Sequence, residues 1–158
     1  MTEIACNQTA GTVGTNHWSR HALVGLATTV TAAVLNSLVY FAGGAVVSYD
    51  PDFIIFQNVS PTIIFTVFPA IIATVLYGLL RRFTARPERI FMVVSAVVLL
   101  VSFIPDLTYI PTVEGASAGQ TTILLLMHVV AAVVIVGMLT TLAPGTSRGR
   151  TRSVRLSS

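Results

Sequence analysis

Four long runs of apolar residues, roughly 21–44, 61–80, 90–107 and 120–143, constrain this chain more than any other feature. A helix rising about 1.5 Å per residue needs about 20 residues to cross about 30 Å of hydrocarbon. Each run reaches or approaches that length. No Asp, Glu, Lys or Arg interrupts the first, second or fourth run, and the third holds only Asp106, at its end. Charged residues make up 9% of the chain, against about 25% in soluble domains. The expectation is an all-α, polytopic membrane protein. Residues 20–143 form a four-transmembrane-helix bundle, with a disordered tail at 1–19 and a basic tail at 144–158.

The charges between the runs carry an orientation. Arg20 precedes the first span, Arg81, Arg82, Arg86 and Arg89 fill the second connection, and Arg148, Arg150, Arg152 and Arg155 follow the last. The other two connections hold Asp50, Asp52 and Glu114, with Asp106 at the end of the third run, and no basic residue. Lys and Arg in short loops mark the cytoplasmic side, so both termini and the "RRFTARPER" loop are expected there, in a multi-pass protein of the plasma (inner) membrane. The eight arginines of that loop and the C-terminal tail are expected to contact an anionic leaflet, at about 1 kcal/mol each. The first run is too long for the h-region of a secretory signal, about 7–15 residues, which favours a retained span.

The segment 1–19 lacks an apolar period and is expected to be disordered. It contains the lone Cys6, which has no partner for an intramolecular disulfide, and Trp18 at an interfacial position. In the first acidic connection Tyr49, Phe53 and Phe56 are expected at the level of the lipid headgroups. Asn58 opens an "NVS" triplet of the glycosylation type, which has meaning only in a eukaryotic secretory pathway. Pro69 falls near the middle of the second span, where it deprives the Phe65 carbonyl of its helical donor and is expected to kink the helix.

Polar residues inside the spans fall at similar depths. His128 and Asn36 each lie about four residues toward the acidic end from the midpoint of their spans, and Thr66 and Ser102 fall near the same level. Asp106 is expected about one turn beyond them. Gly25, Thr29, Ala32 and Asn36 repeat at helical spacing, as do Ser95, Leu99, Ser102 and Asp106. Small residues let helices approach closely, and an imidazole or amide facing lipid leaves its hydrogen bonds unmade. Asn36 and His128 are therefore expected to look inward, toward each other or toward Ser102. This layer of His128, Asn36, Ser102, Thr66 and Asp106 is the candidate binding or transport site. Its alternative role is interhelical packing, worth about 0.6 kcal/mol per hydrogen bond.

Other chemistry finds little support. His17 and His21 are four apart, a two-ligand arrangement where zinc usually takes three or four protein ligands. No nucleophile–base arrangement or glycine-rich phosphate loop is visible, and the basic tail lacks the folded or aromatic-interleaved face that nucleic acid requires. The expectation is no metal, no cofactor, no nucleic-acid partner and no enzymatic activity.

Three stretches, "LLRRFTARPERIF" after the second run, "FIPDL" ending the third and "LLLMHVVAA" in the fourth, give the chain a resemblance to short bacterial four-span membrane proteins of unknown function, frequent in actinobacteria. The resemblance spans about residues 20–143. It implies a bacterial inner-membrane location and four spans, and carries no activity. The functional expectation is a non-enzymatic integral membrane protein acting through a protein or lipid partner, with homo-oligomerisation open to it. The alternative is a small transporter or proton-linked permease using the intramembrane polar layer.

Overall fold

The computed structural model describes residues 16–143, with side chains from Ser19 onward. The two tails, with Cys6 and the four tail arginines, lie outside the described residues, as do the side chains of His17 and Trp18. Four helices make up the fold: α1 Asn16–Val46, α2 Ser60–Phe83, α3 Pro87–Thr108 and α4 Ala118–Leu142, with a 3-10 turn at Ile110–Thr112. All four are long and apolar enough to cross a membrane. The protein is an all-α, four-helix bundle of the multi-pass membrane type. α1 begins five residues ahead of the apolar run, inside the segment expected as tail, because a helix propagates on backbone bonds and does not require apolar side chains.

Local signals explain where the helices start. Pro61 and Pro87 occupy the first turns of α2 and α3, where a missing N–H removes no helical bond. The Oγ of Ser117 accepts from the backbone N–H of Gln120 at 3.3 Å and caps α4. α2 continues unbroken through Pro69. Five Ser and Thr hydroxyls within the spans are satisfied by their own helices: Thr28, Thr29, Ser37, Thr74 and Thr140 each donate to the carbonyl four residues back, at 2.7–2.9 Å. This is how a bilayer tolerates them.

The short connections make the helices alternate in direction. α1 packs against both α2 and α4, and α3 packs against α4 and, less extensively, α2. α2 and α4 touch across the diagonal, while α1 and α3 do not meet. The outside is apolar throughout: Leu26 and Phe41 of α1, Phe65 and Phe68 of α2, Val93, Val97 and Val101 of α3, and Val129 and Val133 of α4 are all exposed. Such a surface suits lipid. Because lipid is as apolar as the interior, the bundle is held by close packing and polar contacts between helices.

Packing divides the interior into two clusters. Toward the arginine end, Ala32, Ala70, Tyr77, Phe91, Ile135 and Leu139 are buried together, with the rings of Tyr77 and Phe91 4.9 Å apart. Toward the acidic end, Tyr40, Phe53, Phe56, Ile110 and Met127 form the second cluster. Here the structure corrects an expectation. Phe53 (0% exposed) and Phe56 (2%) do not face outward toward lipid but turn inward and pack with Tyr40, Ile110 and Met127. The loop between α1 and α2 folds inward because its polar groups find partners there. Tyr49 donates to the Tyr40 carbonyl at 2.7 Å, and Tyr40 donates to the Phe56 carbonyl at 2.9 Å. Gly115, at φ 75°, brings the second acidic loop against this cap: a Cβ there would stand 2.7 Å from the Phe53 nitrogen. Only glycine fits that approach.

Candidate functional site

The polar residues of the spans separate into two pairs. On one side Asn36 of α1 donates from Nδ2 to Thr66 Oγ1 of α2 at 2.8 Å, and Thr66 in turn donates to the Thr62 carbonyl at 2.7 Å. Both residues are buried, and Asn36 Oδ1 has no partner. On the other side His128 of α4 stands with Nδ1 3.1 Å from Asp106 Oδ2 of α3. Asn36 makes no hydrogen bond to His128 or Ser102. The expectation of one shared layer gives way to the topology: of the stripe Gly25, Thr29, Ala32 and Asn36, all but the half-buried Thr29 are buried, Thr28 takes its place on the buried face, and Asn36 is bonded to α2. Ser102, half-buried, donates to its own helix at Leu99, 2.7 Å away.

Asp106 is the second correction. Expected about one turn beyond His128, its carboxylate reaches the imidazole, Oδ2 standing 3.1 Å from Nδ1. In the 3-10 turn that follows α3, Ile110 points inward, 7% exposed and packed in the same cluster as Phe53 and Met127.

The imidazole of His128 is oriented by two acceptors. Its Nδ1 is 2.9 Å from the Leu124 carbonyl and 3.1 Å from Asp106 Oδ2. The Leu124 carbonyl can only accept, so in the neutral ring the hydrogen bond to it places the proton on Nδ1. That N–H is directed at Leu124, and Asp106 Oδ2, although close, takes no hydrogen bond. Nε2 makes no hydrogen bond among the described residues. The His128 side chain is 37% exposed while Asp106 is buried. Helical spacing places His128 on the same side of α4 as the buried Gln120, Ile135 and Leu139, so its exposure means that the α3–α4 packing is open at this level. α3 confirms it. Between Phe91 and Asp106 no residue of α3 is buried, and Ser95, Leu99, Ser102 and Phe103, on the Asp106 face, are only half-buried. The buried residues of α3 thus stand near its two ends, Phe91 against Tyr77 and Asp106 beside His128.

Two further polar residues, Tyr77 and Gln120, went unnoticed in the sequence, and His21, considered there only as half of a pair with His17, bonds across helices. His21 Nε2–H donates to the Thr74 carbonyl at 3.2 Å, over a space that Gly78 keeps clear. Tyr77 and Gln120 are fully buried with their polar side-chain atoms unpartnered. Gln120 stands at a span boundary, where a polar residue signals an end, so the sequence offered no cue to its burial. Among the described residues no group of three His, Cys, Asp or Glu side chains is placed to hold a metal ion.

Comparison with known families bears on the whole bundle. The sequence model of a family of unknown function, DUF6069, matches residues 16–144. The chain belongs to DUF6069. The match begins with the first residue of α1 and ends just beyond α4, so all four helices and the His128–Asp106 pair fall within the DUF6069 region. No curated protein and no solved structure matches the chain.

Proposed function

We propose that this protein is a non-enzymatic integral membrane protein that acts by binding a partner molecule within the bilayer, at the seam between α3 and α4. The observation that carries this reading is the His128–Asp106 pair: two ionisable side chains 3.1 Å apart, in an apolar span, with a ring nitrogen left without a partner and the seam beside it open. An intramembrane ionisable residue marks a functional position by default. The arginine-bearing end, with Arg81, Arg82, Arg86 and Arg89, faces the cytoplasm of a bacterial inner membrane in this reading and contacts anionic lipid.

Transport is the second reading. It gains from a carboxylate standing beside His128 and loses from the packing on either side: Phe53 and Phe56 close the acidic end, and Tyr77, Phe91 and Leu139 fill the other. Native mass spectrometry of protein released from its own membrane tests the choice. A bound molecule retained by wild type and lost by Asp106→Asn and Leu99→Trp supports binding at the seam. Proton-coupled flux in proteoliposomes, abolished by the same variants, overturns it in favour of transport.

A further inference from the structure

We infer that the outer groove between α1 and α2 is a binding site for one anionic phospholipid, its acyl chain lying in the groove and its phosphate beside Arg82. This site is independent of the α3–α4 seam and rests only on the reading that the arginine end meets anionic lipid. Two hollows follow one another along the outer boundary of the two helices. The one nearer the arginines, of about 340 Å³, is lined by the small residues Ala22, Gly25 and Thr29 of α1 and by the apolar Val67, Ile71 and Val75 of α2. The other, of about 260 Å³, takes over one turn further on, at Ala33, Ser37 and Ile63. From Ala22 to Phe41 the pair runs about 28 Å along α1, close to the whole hydrocarbon core of about 30 Å. The first hollow therefore lies in the leaflet on the arginine side.

Its lining calls for an apolar occupant. The hydroxyls of Thr29 and Thr74 already donate to the Gly25 and Ala70 carbonyls, at 2.9 and 2.8 Å, and every other lining side chain is apolar. An acyl chain restores the dispersion contacts that an unfilled gap forfeits. Charge beyond the hollow selects the headgroup. On α2 the lining positions Val67, Ile71 and Val75 continue at helical spacing to Gly78 and Arg82. His21 lies against Gly78 and bonds the Thr74 carbonyl at 3.2 Å, which ties α1 to α2 at this end of the hollow. One turn past it Arg82 is exposed, about 10 Å beyond Val75 along the axis, and makes no ion pair among the described residues. Among the described residues this end gathers Arg20, Arg81, Arg82, Arg86 and Arg89 against one acid, Glu88. An anionic headgroup neutralises that cluster, whereas a zwitterionic one brings an ammonium to it. A second copy of the chain fits worse. Two copies inserted with one orientation and facing across a two-fold axis would bring their arginines together.

The test is native mass spectrometry of the full chain taken from nanodiscs of equal parts phosphatidylglycerol and phosphatidylcholine. Wild type should retain one phosphatidylglycerol, favoured over phosphatidylcholine by about five-fold, the factor that one arginine supplies. Arg82→Gln should lose that preference, and Arg89→Gln, on α3, should keep it. Ala22→Trp, at an exposed position, fills the hollow and should lose the retained lipid with helical content unchanged, while Val34→Trp in the other hollow keeps it. Arg82→Gln reads the headgroup contact whatever Ala22→Trp does to folding. Equal losses in Arg82→Gln and Arg89→Gln overturn the inference and leave only a diffuse contact with anionic lipid. No preference in wild type overturns that wider reading as well. A wild-type dimer that Ala22→Trp dissociates gives the groove to a second copy and overturns the inference too.

Discussion

The separation of the polar residues into two pairs can be measured by double-mutant cycles on the purified full chain. Asn36→Leu removes the 2.8 Å bond to Thr66 and with it the unpartnered Oδ1, while Thr66 keeps its own donor bond to Thr62. No donor is orphaned, so the loss should be close to that of an average interhelical hydrogen bond, about 0.6 kcal/mol and at most about 1.7. Thr66→Val is worse. It strands the buried Nδ2 of Asn36 as well as breaking the bond, and an unsatisfied buried group costs about 1–3 kcal/mol. In the Asn36→Leu background that penalty disappears, since there is no amide left to strand, and Thr66→Val should cost close to nothing. His128→Gln should add to Asn36→Leu within about 0.3–0.5 kcal/mol, as independent sites do. Reversible unfolding in mixed micelles supplies all of these free energies. Thr66→Val costing the same in both backgrounds, or strong coupling between Asn36 and His128, would refute the separation.

The glycines give a contrast within one protein. A Cβ on Gly25 would collide with the side chain of Thr74, whereas one on Gly137 meets nothing within 4 Å. Gly25→Ala should destabilise by about 1–3 kcal/mol and be largely rescued by Thr74→Ala. Gly137→Ala should be neutral or stabilising by up to about 1 kcal/mol, unless a second helix packs on that face, which a loss of oligomer in cross-linking would reveal. Gly115→Ala, at φ 75° and against the Phe53 backbone, should undock the aromatic cap and speed proteolysis of the 47–59 loop. Burial, and secondarily Tyr40, holds the Tyr49 hydroxyl above the ordinary tyrosine range. The folded state therefore binds that proton more tightly than the unfolded chain. This contribution is complete below the unfolded value of about 10 and is lost as pH rises through the raised one. Thermal melts across that range should fall for wild type and flatten for Tyr49→Phe.

How much of this was legible in the sequence depends on the kind of signal. The four spans were, since apolar length and the exclusion of charge suffice to define them, and the buried face of α1 was, since Gly25, Ala32 and Asn36 repeat at helical spacing. Depth was the weak point. Counting residues from the edges of the apolar runs treats every helix as centred on the same plane, and that assumption put Asp106 about one turn away from His128. The acidic end departs from it for reasons that lie in the loops. Phe53 and Phe56 are as apolar as any interfacial residue, and nothing in their spacing says that Tyr40 and Tyr49 will hydrogen-bond the loop backbone and draw them inward. Ile110, four residues after Asp106, packs in one cluster with Phe53 and Phe56 and so ties the end of α3 to the cap. The contact of Asp106 with His128 stands next to the two acidic loops that fold over the bundle. Mutations in the cap, far from either side chain in sequence, should change the seam as surely as mutations within it.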